Sequence, residues 1–346
     1  MKILITHELF PPDISGGGEK LVLEMAQRLK QRGIEVKVLT TGDPKIKEYQ
    51  GIKTRRLGIN RFLMNFALFS ILKEARDVDL IQTYNYNACF PSWLAGKILR
   101  KPVICFAFGL YGKRWLKMRG WFKGTISRIV EKIQLNRSYD KLIFLTPFSL
   151  EWAKEIGMSL KKAIIIPPGL DLSNFKPDKK EPYVLFCGKF VMQKGVYDLL
   201  KVAESLPEIK FLLMGWGEEE EKMRKLASKN VEFSSLTQKS GKLFFEKYSK
   251  AAVFFLPSYG ETFGLVLVEA MASGCPIVST IPLGFEGYVV KSGDIHEMAK
   301  RIKHLMENPE MAEKMGEKNI EIAKKYDWEL FLDKLEKVYE DVLKYH

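Results

Sequence analysis

The chain has 346 residues, and 55 Lys or Arg against 42 Asp or Glu give it a formal net charge of +13. That length exceeds what one hydrophobic core usually organises, so two domains are expected. With 46% hydrophobic and 28% charged residues the composition excludes a disordered or fibrous chain. No apolar run reaches the roughly 18 residues of a bilayer span, and the four cysteines form no C-x-x-C pair that would suggest zinc or a disulfide framework.

The opening Met1-Lys2-Ile3-Leu4-Ile5-Thr6 is too short for a secretory signal and reads as a first strand, so a cytoplasmic protein is expected. Further β-rich runs in the first half lie at Glu35–Thr40, Leu80–Thr83, Pro102–Phe106, Lys141–Leu145 and Ala163–Ile166. Between them come helical patterns such as Glu19–Arg32, with apolar Leu21, Val22, Met25 and Leu29 on one side. Pro167-Pro168-Gly169-Leu170-Asp171 and the charged stretch beyond read as a linker. Strands resume at Tyr183–Cys187, Lys210–Met214, Val231–Phe233, Val253–Leu256, Pro276–Ser279 and Tyr288–Val290. Helical patterns alternate with them at Val196–Ser205, Glu218–Ala227, Lys242–Ala251 and Leu265–Ser273. Beyond Asn308 the chain reads as helix only, closing with Trp328–Leu343, whose Leu330, Leu332, Leu335, Val338, Tyr339 and Val342 need a surface to cover.

This alternation predicts an α/β protein of two Rossmann-like, doubly wound parallel-sheet domains. The expected division is 1–170 plus about 326–346, with the last helix crossing back to the first domain, and 171–325. Ligands of open parallel sheets bind beyond the carboxyl ends of the strands. Two facing sheets therefore predict a cleft between domains, and the loops after the strands should carry the chemistry.

Three such loops stand out. The first, His7 to Glu19, contains Ser15-Gly16-Gly17-Gly18 at the mouth of a helix, where backbone N–H groups can approach an anion or simply form a turn. In the second, Gly188-Lys189 ends a strand and Lys194-Gly195 precedes a helix; two cations there suit a diphosphate, although a lysine-rich surface gives the same pattern. The third runs Pro257-Ser258-Tyr259-Gly260-Glu261-Thr262-Phe263-Gly264-Leu265 into a helix carrying Glu269. The backbone N–H groups of Phe263, Gly264 and Leu265 would be available to an anion, and Glu261 and Glu269 could reach one ligand from two sides.

Residues 113–137 hold eight Lys or Arg and a single Glu, interleaved with Trp115, Trp121 and several isoleucines. Such a segment can lie on an anionic membrane surface, with Lys113, Arg114, Trp115, Lys117, Arg119, Trp121 and Lys123 in contact, or it can be a solvated helix with its apolar side on the core. Gly120 and Gly124 weaken a single long helix. One basic cluster without a recognition motif argues against nucleic acid.

The string E-T-F-G-L-V-L-V-E-A-M-A-S-G from Glu261 to Gly274 resembles the E-x7-E motif of the retaining glycosyltransferase family 4, which has the GT-B fold. In the same order come F-P-P-x-x-x-G-G-x-E at Phe10 to Glu19, I-P-P-G-L-D at Ile166 to Asp171, G-K-x-x-x-x-K-G at Gly188 to Gly195, and Asp327-Trp328-Glu329. The resemblance spans essentially the whole chain. It implies a transferase that moves a hexose from a nucleotide-diphosphate sugar, UDP- or GDP-linked, to a hydroxyl acceptor such as a lipid-linked or envelope glycan. It implies no cofactor and no metal. Glu261 would hold donor-sugar hydroxyls in catalysis, and Glu269 the ribose hydroxyls. Lys189 (where the family more often has Arg), Lys194, Gly17 and the amides of Phe263, Gly264 and Leu265 would hold the diphosphate.

Two features depart from that pattern. Phe108 stands where the family has a histidine facing the donor sugar, and the loop from Ile281 to Gly287 after Thr280 is short. Phenylalanine has no ring nitrogen for that hydrogen bond; of the four histidines only His7, ending the first strand, could reach the cleft. A catalytically impaired nucleotide-sugar or glycan-binding protein on the same scaffold is therefore the alternative expectation.

Overall fold

Runs of β-branched and aromatic residues build the strands, and amphipathic stretches between them build the helices that cover both sheet faces. The computed structural model describes residues 1–14 and 16–346; Ser15 of the Gly-rich first loop lies outside the described residues. Contacts divide the chain into two compact units, Met1–Pro168 with Glu329–His346, and Gly169–Trp328.

In the first unit the strands are β1 (Lys2–Thr6), β2 (Glu35–Thr41), β3 (Glu48–Tyr49), β4 (Ile52–Leu57), β5 (Leu80–Tyr84), β6 (Val103–Ala107), β7 (Lys141–Phe144) and β8 (Ala163–Ile165). They form one sheet in the order β3-β4-β2-β1-β5-β6-β7-β8. All its pairings are parallel except the β3–β4 hairpin. Helices α1 (Gly17–Gln31), α2 (Leu68–Ala75), α3 (Cys89–Leu99), α4 (Trp115–Leu135) and α5 (Pro147–Glu155) connect them. Right-handed crossovers, the rule for parallel sheets, put α1 on one face and α2 to α5 on the other. Buried on both sides, β1 and β6 read as apolar runs rather than alternating ones, while the equally buried β5 carries Gln82 and Thr83.

The β3–β4 hairpin was not among the elements expected from the sequence, and the helices α2, α3 and α5 were expected between strands without bounds of their own. Strand β4 reads Ile-Lys-Thr-Arg-Arg-Leu, and its Arg56 is buried rather than solvated. The guanidinium donates to the Phe10 carbonyl at 3.1 Å and to the Pro11 carbonyl, and pairs with Asp13 at 3.2 Å. It thereby pins the loop that follows β1.

In the second unit β9 (Glu181–Lys189), β10 (Lys210–Trp216), β11 (Val231–Ser234), β12 (Ala251–Leu256), β13 (Ile277–Ser279) and β14 (Gly287–Val289) form an all-parallel sheet in the order β11-β10-β9-β12-β13-β14. Around it lie α6 (Val196–Glu204), α7 (Glu220–Leu226), α8 (Lys242–Lys250), α9 (Leu265–Ala272), α10 (Ile295–Glu307) and α11 (Pro309–Ala323). Both sheets are doubly wound α/β layers, as the alternation predicts.

The last helix, α12 (Trp328–Lys344), packs with the first unit from Glu329 onward. Its buried stripe is Phe331, Leu332, Leu335, Val338, Tyr339 and Val342, whereas Leu330 is exposed and lies off that stripe. Arg32 at the end of α1 pairs with Glu329, Asp333 and Glu336, three acids on one side of α12. The Tyr339 hydroxyl donates to buried Gln82 on β5. Leu335 is fully buried, so Leu335→Ala is expected to cost about 2–5 kcal/mol. Calorimetry should show the transition of the first unit lowered by roughly 5–15 °C; an unmoved transition would mean that α12 does not anchor there.

Helix α4 is two pieces. Gly120 adopts φ 74°, a left-handed conformation inside the span. Gly124 has the opposite role: it is buried where a Cβ would come within 2.6 Å of the Trp115 carbonyl, so the first piece packs directly onto the second.

Candidate functional site

The carboxyl edge of the second sheet is where a ligand site is expected, and the structure ties two of its loops together there. Strand β9 ends at Lys189, whose ammonium lies over the Trp216 ring, 5.1 Å from its centroid, at the same end of neighbouring β10. A short turn, Met192–Lys194, then leads through Gly195 into α6. Gly195 has φ +67°, and a Cβ there would meet the Pro257 carbonyl oxygen at 2.0 Å. That close approach is fixed by hydrogen bonds in both directions: Tyr259 N–H donates to the Gln193 carbonyl at 2.8 Å, and the Gln193 amide donates to the Gly260 carbonyl at 3.0 Å.

The strap brings Lys194 onto Glu261, and the two form an ion pair with both side chains mostly shielded from solvent. Three residues on, Gly264 turns the chain into α9 with φ +89°. Helix α9 starts at Leu265; Leu267 N–H donates to the Gly264 carbonyl at 2.9 Å, while the amides of Leu265 and Val266 precede the helix's own bonding pattern and carry the positive end of its dipole. Phe263 is buried against Tyr326, with ring centroids 5.4 Å apart, which holds the backbone of this turn in place.

Glu269 lies one turn into α9 and is buried. One carboxylate oxygen accepts from the Tyr248 hydroxyl at 2.8 Å and the other from the Gln238 amide at 3.1 Å. Burial pushes the Tyr248 hydroxyl well above the ordinary tyrosine range, so it stays a donor. Glu269 is thus aimed by two residues that sequence reasoning missed. Neither carried a signal, because Tyr248 reads as one more aromatic on the inner face of α8 and Gln238 opens a single 3-10 turn, Gln238–Ser240, with no periodic pattern. The short loop after Thr280 is likewise pinned: the Asn319 side chain accepts from Glu286 N–H at 2.7 Å and donates to the Cys275 and Glu286 carbonyls at 2.8 and 2.9 Å.

In the first unit Gly17 lies in the first turn of α1, which opens with a Gly16 N–H bond to the Glu19 carboxylate at 2.9 Å. Phe108, just after β6, stacks edge-on against Tyr84 at 4.6 Å and lies against Gly18. His7 is buried beside Tyr84, and burial lowers its pKa. The next residue, Gly109, is held by Asn85 on both sides of its peptide, N–H to Oδ1 at 3.1 Å and Nδ2 to carbonyl at 3.0 Å.

Of the basic segment, Lys113, Lys117, Arg119, Trp121 and Lys123 are exposed. Two of its residues are engaged within the unit instead. Arg114 lies 4.0 Å over the Trp152 ring and pairs with Glu155 at 2.8 Å. Trp115 donates its indole N–H to Glu131 at 2.9 Å. Glu131, the only acid in the segment, is buried and also accepts from the Tyr111 and Gly112 amides at 2.9 and 2.8 Å. Among the described residues no group of three or more His, Cys, Asp or Glu comes together to hold a metal ion.

Two family models divide the chain between them: Glycosyltransferase Family 4 matches residues 15–174 and Glycosyl transferases group 1 matches residues 171–322. The chain belongs to this glycosyltransferase family. An uncharacterised glycosyltransferase of Methanocaldococcus jannaschii is 26% identical, covering 99% of both chains. A phosphatidyl-myo-inositol mannosyltransferase of Mycobacterium leprae is also 26% identical, over 95% of this chain and 94% of that one. Among solved structures, sucrose-phosphate synthase from Thermosynechococcus elongatus superposes with a TM-score of 0.80 at 21% identity, covering 100% of each chain. HepE of Anabaena, crystallised with UDP-glucose, gives 0.80 at 18% identity over 99% and 100%. These likenesses establish the GT-B fold for the glycosyltransferase.

Proposed function

We propose that this glycosyltransferase moves a hexose from a UDP- or GDP-sugar to a hydroxyl of a glycan or lipid-linked acceptor, with retention at the anomeric carbon and without a metal ion or cofactor. The observation that carries the reading is the strapped constellation at the β9 and β12 ends, where Lys194 and Glu261 meet beside the open first turn of α9. In this reading Lys194, Lys189 and the amides of Phe263, Gly264 and Leu265 hold the diphosphate, and Gly17 at the start of α1 offers an anion-binding amide of the first unit. Glu269, already aimed by Tyr248 and Gln238, takes the ribose hydroxyls. Glu261 takes hydroxyls of the donor sugar and acts in catalysis.

The chemistry balances without a protein nucleophile. The bond from the anomeric carbon to the β-phosphate oxygen breaks, and its electron pair stays on the phosphate. The acceptor oxygen bonds to the same face of that carbon, and its proton passes to the departing phosphate. Fixed cations and dipoles that meet this developing charge lower the barrier without reorganising. The relative whose name specifies phosphatidyl-myo-inositol as acceptor and the neighbour crystallised with UDP-glucose support this choice of donor and acceptor class.

A thermal-shift panel of UDP-, GDP- and ADP-sugars tests the donor half. A ligand at about 100 times its Kd adds about 2.7 kcal/mol of apparent stability, so the preferred donor should raise the transition of the second unit by several degrees. If no nucleotide sugar in the panel moves it, the donor assignment is wrong. Phe108 favours a second reading, a nucleotide-sugar binder without turnover, because an aromatic ring packed on Tyr84 replaces a hydrogen-bonding group there. Stabilisation by a donor with neither transfer nor slow donor hydrolysis would select that reading.

A further inference from the structure

Residues 80–139 hold eleven Lys or Arg and a single acid, Glu131. Glu131 is buried and accepts three hydrogen bonds, so the outer surface of this stretch carries nearly all of the chain's net charge of +13. It forms α3 and α4 on one face of the first sheet. Helix α3 touches α2 on one side and α4 on the other, so three neighbouring helices share that outer face.

The same face leaves large apolar side chains in solvent. Phe66 and Phe69, in the turn before α2 and on it, are 80% and 84% exposed; Trp121 and Phe122 on α4 are 78% and 69% exposed, with Ile98 on α3 and Ile129 on α4 also exposed. Single exposed apolar residues need no explanation, but a face of this kind on a soluble unit marks an interaction surface. We propose that the outer face of α2, α3 and α4 is a docking surface for an anionic lipid bilayer, with Phe66, Phe69, Trp121 and Phe122 entering the headgroup–acyl boundary. The cations between them meet acidic headgroups. Charge decides the occupant. A second copy would bring an equally positive face, and two such faces repel. The limb at Phe66 and Phe69 had no counterpart in the basic sequence pattern, and it makes the contact two-sided, so that the unit is oriented rather than merely tethered. The inference rests on this surface alone and uses no step of the transfer reaction.

Flotation of the full chain with phosphatidylcholine vesicles, with and without phosphatidylglycerol, tests it. The protein should float with the phosphatidylglycerol vesicles only, and binding should fall as salt rises from about 0.1 to about 0.5 M, where screening shortens the reach of each charge. Replacing Lys117, Arg119 and Lys123 with alanine should lower partitioning by roughly 5-fold per residue at the lower salt. Phe66→Ser with Phe69→Ser should lower it by more than about 10-fold at either salt, since the lost contribution is apolar. Donor-induced thermal stabilisation should stay unchanged in all these variants, so loss of donor binding and loss of membrane binding are separable results. Absence of flotation, equal flotation with phosphatidylcholine alone, or indifference to the Phe66 and Phe69 changes would overturn the proposal. A dimer that these changes dissolve, without flotation, would overturn it in favour of a second copy.

Discussion

Lys194→Ala and Glu261→Ala are each expected to lower kcat/KM by roughly 10²- to 10³-fold while leaving the protein folded. The expectation follows from where the pair sits. Both side chains are mostly shielded from solvent, with exposures of 18% and 15%, so a charge there acts through a medium less polarisable than water. Alanine at Lys194 removes a cation proposed to meet the leaving phosphate, and alanine at Glu261 removes the carboxylate that pairs with the lysine and is proposed to hold the sugar. Because the two act as a pair, the double variant should lose little more than the worse single one. Lys194→Arg keeps the charge but replaces a compact ammonium with a planar fork, so an intermediate rate is expected. Steady-state kinetics with the donor selected by the thermal panel gives the answer, and circular-dichroism melting checks the fold. Full turnover in both alanine variants would remove these residues from the reaction.

Gly195→Ala should strongly destabilise the second unit. The left-handed backbone costs an L-residue about 1–2 kcal/mol, and the methyl would lie 2.0 Å from the Pro257 carbonyl oxygen, on a backbone fixed by its own hydrogen bonds. Overpacking of that kind adds about 1–3 kcal/mol, so a total of about 2–5 kcal/mol is expected. Gly284→Ala is the matched control, since it also has a positive φ, +83°, but nothing lies within 4 Å of its Cβ. Urea denaturation should show about 1–2 kcal/mol there. The difference between the two variants isolates the contact term, and Gly195→Ala alone should also lose donor-induced stabilisation. Equal losses at both positions would mean that the strap between Gly195 and Pro257 has no energetic weight.

Much of this architecture was legible because its physics is periodic. Strands buried on both faces appear as unbroken apolar runs, and a helix such as α12 shows its stripe at Leu332, Leu335, Val338, Tyr339 and Val342. Strand β4 was not legible, because Arg56 is a charged residue serving as a buried anchor for carbonyls, and a pattern of polarity reads it as surface. In the site, Glu261, Glu269 and Lys194 announced themselves through glycine-rich turns at strand ends. The residues that aim them did not: Tyr248 and Gln238 meet Glu269 only through contacts remote in sequence. The exposure of Phe66 and Phe69 was equally hidden. A sequence shows that a phenylalanine is apolar but not which way its helix is turned.

Glu131 has a consequence of its own. It sits in α4, yet its carboxylate clamps the amides of Tyr111 and Gly112, in the segment that begins with Phe108 and Gly109. The helix and that segment are therefore tied at one carboxylate, although 19 and 20 residues of chain separate the partners. Moving that helix without moving this segment would leave two backbone amides without the acceptor they share.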